Sequence, residues 1–209
     1  MNHKKKVTAW ALAAVAIIIA FYFDTEIIKA VSSIKGPFIS DILLGFTFAS
    51  TQIIIFFVLT SFLMWTRGKG KWIFPLWLAL AASEAAAFLL KVTVERQRPF
   101  QQGLMEISPI FTITDKYYLW DFSFPSAQTA AAFCAVPILS MEFPKLKYLW
   151  ITLAALVGFS RIYFGFHFLS DVIAGAILGL LMGMAMIKAE KETGLGDRIY
   201  SRIRSKFMR

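Results

Sequence analysis

A chain of 209 residues that is 58% hydrophobic and 16% aromatic, with mean hydropathy +0.64, has the composition of a membrane protein and excludes an ordinary soluble domain. Its net charge of +9 sits in short clusters between long apolar runs, so no nucleic acid partner is needed to explain it. The single cysteine, Cys134, lies within an apolar run, which excludes a disulfide within the chain and argues against a thiol-based site.

A helix that crosses a hydrocarbon core of roughly 30 Å needs about 20 mostly apolar residues. Six stretches meet or approach that length, near Val7–Phe23, Ile42–Trp65, Trp72–Lys91, Ser126–Ser140, Tyr148–Phe164 and Phe168–Ile187. The first follows MNHKKK and runs into bulky FYFDTE rather than a small-residue cleavage site, so it reads as an uncleaved anchor. After it, EIIKAVSSIKGP sets Ile27, Val31 and Ile34 on one side before Gly36-Pro37, which predicts a short interfacial helix near residues 26–35. In the second stretch Thr47, Ser50, Thr51 and Gln52 form a polar patch suited to hydrogen bonds between helices. The loop from Phe100 to Phe122, with YYLW at 117–120, reads as an aromatic belt at headgroup level, a substrate lid being the alternative. In the basic tail 188–209, Ile199, Ile203 and Phe207 share a helical face beside Arg198, Arg202 and Lys206, a pattern suited to an anionic leaflet. No polar linker or repeat divides the chain. The expectation is one all-α domain over 1–209, an integral membrane bundle of six transmembrane helices.

Segments that stay in the cytoplasm are enriched in Lys and Arg. With the amino terminus inside, fifteen of the twenty-two Lys and Arg residues fall on the inner side. Both termini are therefore expected in the cytoplasm. The seven outer cations include Lys91, Arg98 and Arg161.

Ionisable residues at the ends of spans are costly and point to function. Here they gather in KVTVERQRPF, FPSAQ and SRIYFGFHFLSD, which this topology brings to one outer surface. Lys91 and Arg98 are seven residues apart and would share a face on a continuing helix, before Pro99 ends it. Each could snorkel alone. With Arg161 they make a trio that repels unless an anion lies among them. Ser126 opens the fourth span, where free N–H groups and the helix dipole favour a phosphate, though its hydroxyl could simply cap the helix. His167 and Asp171 are four apart on one face, so the carboxylate can accept from one imidazole nitrogen and leave the other free to attack.

Lys91-x6-Arg98-Pro99, Pro125-Ser126-Ala127-Gln128 and Ser160-Arg161-x5-His167-x3-Asp171 together resemble the three ordered blocks of the type 2 phosphatidic acid phosphatase superfamily. The resemblance implies a six-helix core and hydrolysis of lipid phosphates through a phosphohistidine, with no cofactor or metal. It assigns the nucleophile to His167, its orientation to Asp171, and the phosphate cradle to Lys91, Arg98, Ser126 and Arg161.

The second block departs from the family's usual Pro-Ser-Gly-His, whose His protonates the leaving group. This chain has Ala127 and Gln128, and its only other histidine is His3 on the amino-terminal tail. General acid catalysis is worth about 10²–10⁴-fold for a poor leaving group. A leaving group that is itself a phosphorylated lipid, with a second pKa of about 6, departs without such help. The expected substrate is thus a lipid diphosphate of polyprenyl type, with Gln128 as an amide donor to a phosphoryl oxygen. Glu84, seven residues before Lys91, could relay a proton or bond a neighbouring helix; Asp121 is another conceivable acid. A phosphotransferase with the same intermediate and an attenuated lipid-phosphate binding or transport protein are the alternatives. The expected setting is a plasma membrane with the site facing outside and membrane lipids as neighbours; oligomeric state is open.

Overall fold

The computed structural model describes residues 3–66, 68–106 and 122–207. Among them are eight α-helices and no strand, as the all-α expectation requires. They are α1 (His3–Ser33), α2 (Pro37–Ala49), α3 (Gln52–Trp65), α4 (Ile73–Val94), α5 (Ala127–Glu142), α6 (Lys147–Tyr163), α7 (Leu169–Thr193) and α8 (Leu195–Phe207). The aromatic run at 117–120, Arg67, Lys116 and Asp121 lie outside the described residues.

Three helical stretches, Ala11–Ser33, Gly70–Val94 and Leu169–Thr193, are long and apolar enough to cross a membrane, and α2 with α3 makes a fourth when taken as one broken span. The expected count of six is not reached by length and composition, because α5 and α6 have only 16 and 17 residues. Large apolar side chains on the outside, among them Ile18, Phe57, Met64 and Leu89, suit a hydrocarbon solvent.

Two local expectations need correction. Residues 26–33 continue α1 instead of forming a separate interfacial helix. Nothing between Phe23 and Glu26 breaks a helix, and Ile28 and Val31 are held in the core with Leu43, Tyr163 and Phe168. The second stretch is not one helix but two, bent by 75° at Ser50 and Thr51. Ser50 Oγ turns back to Thr47 O at 2.8 Å while Thr51 adopts an extended backbone, so the polar patch marks the break. Thr47 still bonds across helices, donating to Ser160 Oγ at 3.0 Å.

The central contact is between α5 and α7. Gly175, Gly179 and Gly183 lie against the carbonyls of Ser126, Ala130 and Cys134, and a Cβ at any of the three would collide with them. Small residues at this spacing let two backbones approach without a hydrophobic driving force, which lipid does not supply. At the far end α8 packs through Tyr200 onto Gly70, and the Glu190 carboxylate accepts from Gly196 N at 2.8 Å and Asp197 N at 3.1 Å. The tail is thus a docked helix, with Ile203 and Arg198, Arg202 and Lys206 exposed; the Phe207 side chain lies outside the described residues.

Candidate active site

Helix α4 stops at Val94, where Glu95 takes a left-handed φ of 50° and its N–H closes onto Lys91 O at 2.9 Å. Arg98 therefore lies beyond the helix and not on its face. It reaches the same place through the turn that follows, in which its main-chain N–H donates to Gln101 Oε1 at 2.8 Å. Lys91 and Arg98 are both buried, 4% and 5% exposed. Lys91 Nζ donates to Phe122 O, and Arg98 Nη1 to Phe166 O at 3.2 Å.

The last turn of α6 supplies Arg161, whose guanidinium lies 4.2 Å from the Phe166 ring. Its carbonyl accepts from both Phe166 N and His167 N, at 3.0 and 3.2 Å. Gly165, at φ 76°, makes this reversal with a conformation that side chains resist. The tight turn carries His167 back beneath the cations. Apart from Ala127 and Gln128, which are half-buried, the block residues are buried, and they meet at one end of the bundle.

His167 is 3% exposed, and its Nδ1 lies 2.7 Å from Ser123 O. A carbonyl only accepts, so Nδ1 carries the hydrogen and the lone pair belongs to Nε2. The expected bond from imidazole to Asp171 is not formed, since Asp171 Oδ2 is 3.8 Å from Nδ1. Instead Oδ2 accepts from Ser123 Oγ at 2.6 Å and from Phe168 N at 2.8 Å. Asp171 thus holds the residue that holds the imidazole. In the turn between α6 and α7, burial first and then Arg98, Lys91 and Arg161 push the His167 pKa well below its ordinary value. The imidazole is neutral near pH 7.

Ser126 precedes α5 and is fully buried, but its hydroxyl bonds Thr129 Oγ1 at 2.8 Å and makes no capping bond. Its N–H is committed to Asp171 O at 3.0 Å, which joins the start of α5 to α7. Gln128, in the first turn of α5, is half-buried, and its Oε1 is enclosed without a hydrogen-bond partner among the described residues. Such an acceptor costs free energy unless a ligand satisfies it. Glu84 is exposed on α4 and accepts from Gln52 of α3, at the wall of a lateral hollow of about 350 Å³ lined by Ile53, Phe56 and Trp77. Of its two readings, this is the bond to a neighbouring helix.

The motifs did not single out Ser123, Arg96, Asp24 or Ser170. Ser123 lies within FSFPS with nothing to distinguish it from a loop serine, and Asp24 is some seventy residues from Arg96. Only the fold brings them together.

The chain has relatives among known proteins in both sequence and fold. A model of the PAP2 superfamily matches residues 72–194. Phosphatidylglycerophosphatase B of Bacillus subtilis is 28% identical over 172 residues, covering 76% of this chain and 79% of that protein. The crystal structure of Aquifex aeolicus LpxE superposes with a TM-score of 0.67 at 28% identity, covering 79% of this chain and 95% of that one. That of a transmembrane PAP2-type phosphatidylglycerolphosphate phosphatase from Bacillus subtilis gives 0.66 at 23% identity, covering 88% and 96%, a likeness of fold.

Proposed function

The chain belongs to the PAP2 superfamily, and from that premise we propose that it is an integral-membrane phosphatase that cleaves a lipid diphosphate through a phosphohistidine at His167. The observation that carries the reading is the state of that imidazole: it is buried, donates Nδ1–H to Ser123 O and lies within electrostatic reach of Lys91, Arg98 and Arg161.

In the proposed first step Nε2 attacks the terminal phosphorus, the P–O bond to the lipid monophosphate breaks, and the leaving group takes the electron pair. In the second, water attacks phosphorus, the P–N bond breaks, and inorganic phosphate leaves with His167 neutral again. Lys91, Arg98 and Arg161 stabilise the charge on the transferring group without a metal, which is worth several kcal/mol where water is excluded. Gln128 cannot protonate a leaving group. Its amide can hydrogen-bond a phosphoryl oxygen, and a departing lipid phosphate with a second pKa of about 6 needs no proton near neutrality. The site end is assigned to the extracytoplasmic side, with both termini in the cytoplasm, because Lys and Arg crowd the opposite end.

The test is phosphate release by the purified chain from a polyprenyl diphosphate and from phosphatidic acid, with and without chelator. Preference for the diphosphate with no effect of chelator is expected. Preference for the monoester overturns the substrate assignment, and transfer of phosphate to an added lipid or sugar hydroxyl in place of water would identify a phosphotransferase.

A further inference from the structure

Arg96 sits at the crossing of three elements. Its Nη1 donates to Asp171 Oδ1 at 2.7 Å and Ser170 Oγ at 2.6 Å, and its Nη2 to Asp24 Oδ2 at 2.7 Å. The guanidinium is held between two aromatic rings, with Cζ 4.5 Å from the Phe21 centroid and 4.0 Å from that of Phe168. Asp24 is 2% exposed and also caps α7 from α1, accepting from Ser170 N at 3.0 Å and from Ser170 Oγ. A buried carboxylate in an apolar helix is expensive to keep unless its partners repay desolvation. Here the planar fork of an arginine satisfies two carboxylates at once, which a lysine ammonium cannot do with the same geometry.

Residue 96 reaches His167 by two routes. Through the side chain, Arg96 fixes Asp171 Oδ1, leaving Oδ2 to take the Ser123 hydroxyl. Through the main chain, Arg96 O accepts from Ser123 N at 2.7 Å. Both converge on Ser123, whose carbonyl receives Nδ1–H of His167.

We propose that Arg96, clamped by Asp24 of the first helix, is a positioning residue that sets the tautomer and orientation of His167 through Asp171 and Ser123. It touches no reacting atom. The first helix thereby becomes part of the phosphoryl-transfer machinery, although it lies outside the region matched to the family. The inference rests on the proposed phosphatase reading, so the test carries a readout that does not need turnover.

Arg96→Gln, Arg96→Lys and Asp24→Asn would be made in the full chain, in a His3→Ala background so that His167 is the sole histidine. Three quantities are measured: kcat and KM on a polyprenyl diphosphate, thermal unfolding, and the ¹⁵N signals of the imidazole. By analogy with the partners that orient metal-ligating histidines, loss of this support is expected to cost about 10–100-fold. That fall is expected in kcat for Arg96→Gln, with KM within about threefold, alongside a shift of the ¹⁵N signals from a single Nδ1–H tautomer toward a mixture. Arg96→Lys should restore only part of kcat. Asp24→Asn keeps an acceptor for Ser170 N and should lie between wild type and Arg96→Gln, so it decides the matter if the arginine variants do not fold. Lowered unfolding temperature with unchanged kcat and unchanged ¹⁵N signals would make the cluster merely structural and overturn the proposal. If the parent chain releases no phosphate from any lipid, the phosphatase reading fails, while the ¹⁵N spectra still test the positioning.

Discussion

Around His167 the helix ends bury Asp24, Lys91, Arg98, Arg161 and Asp171, whereas at the other end Leu63, Trp72, Leu76, Ile138 and Leu139 form the interior, with Lys69, Glu142 and Glu190 at its border. The same helices run through both, so the contrast is not one of secondary structure. It lies in what the buried groups are for. At the far end each charge closes a helix terminus or a neighbouring donor, as Glu190 does for α8. At the site end three cations, Lys91, Arg98 and Arg161, lie near enough to His167 to depress its pKa, an arrangement that suits an anionic ligand. Substitutions at the site end should therefore lower turnover more than stability, and those at the far end the reverse.

The largest expected effect is at the proposed nucleophile. His167→Asn should reduce phosphate release by at least about 10³-fold, by analogy with removal of a nucleophile elsewhere, with the unfolding temperature nearly unchanged. Substantial residual turnover would break the contrast. Lys91→Ala and Arg98→Ala come next, each expected to lower kcat/KM by about 10²–10³-fold, the size found when one donor to a developing oxyanion is removed. Each also donates to a main-chain carbonyl, Phe122 O or Phe166 O, so its loss should lower stability modestly, and by much less than it lowers turnover. Pronounced destabilisation would mean that they are structural.

A smaller and sharper effect is in pH dependence. Burial and the three cations depress the His167 pKa below its ordinary 6.5. The proposed nucleophile therefore stays neutral as pH falls through that value, and kcat/KM should show no acid limb from His167 at its ordinary pKa. Stability follows the opposite course. Below pH 6.5 the unfolded chain binds this proton and the folded chain does not, so folding stability should decline as pH falls from there toward the depressed value. An acid limb of kcat/KM centred at the ordinary imidazole pKa would place His167 in a wetter, less charged setting.

How much of this was legible in the sequence follows the same division. The residues of the proposed site were readable because their spacing repeats a known pattern, and Lys91, Arg98, Arg161 and Asp171 do lie near His167. Their roles were less so. Four-residue spacing put Asp171 on the face of His167, but it could not reveal that Ser123 stands between them. Hydropathy located the apolar runs, yet it passed over Ser50 and Thr51, because a break made by a hydroxyl turning back on its own helix leaves no charge or proline to mark it. The Asp24–Arg96 pair was out of reach altogether, since α1 and the end of α4 meet only in three dimensions.

The smallest effect belongs to the far end and tests the other half of the contrast. Glu142 accepts from Trp72 Nε1 at 2.8 Å and pairs with Lys69, whose side chain is 31% exposed. An ion pair that open to solvent contributes at most about 1 kcal/mol. The indole is another matter, because Trp72 is 4% exposed and an unsatisfied buried donor costs about 1–3 kcal/mol. Glu142→Gln removes the charge and keeps an acceptor, so it should lower stability only slightly. Glu142→Ala orphans the indole and should cost more, by an amount read as the difference in denaturation between the two variants. Both should retain turnover within about twofold of wild type, since neither touches the buried cations or His167. Equal destabilisation by the two would assign the contribution to the ion pair, and lost turnover in either would mean that the two ends are coupled.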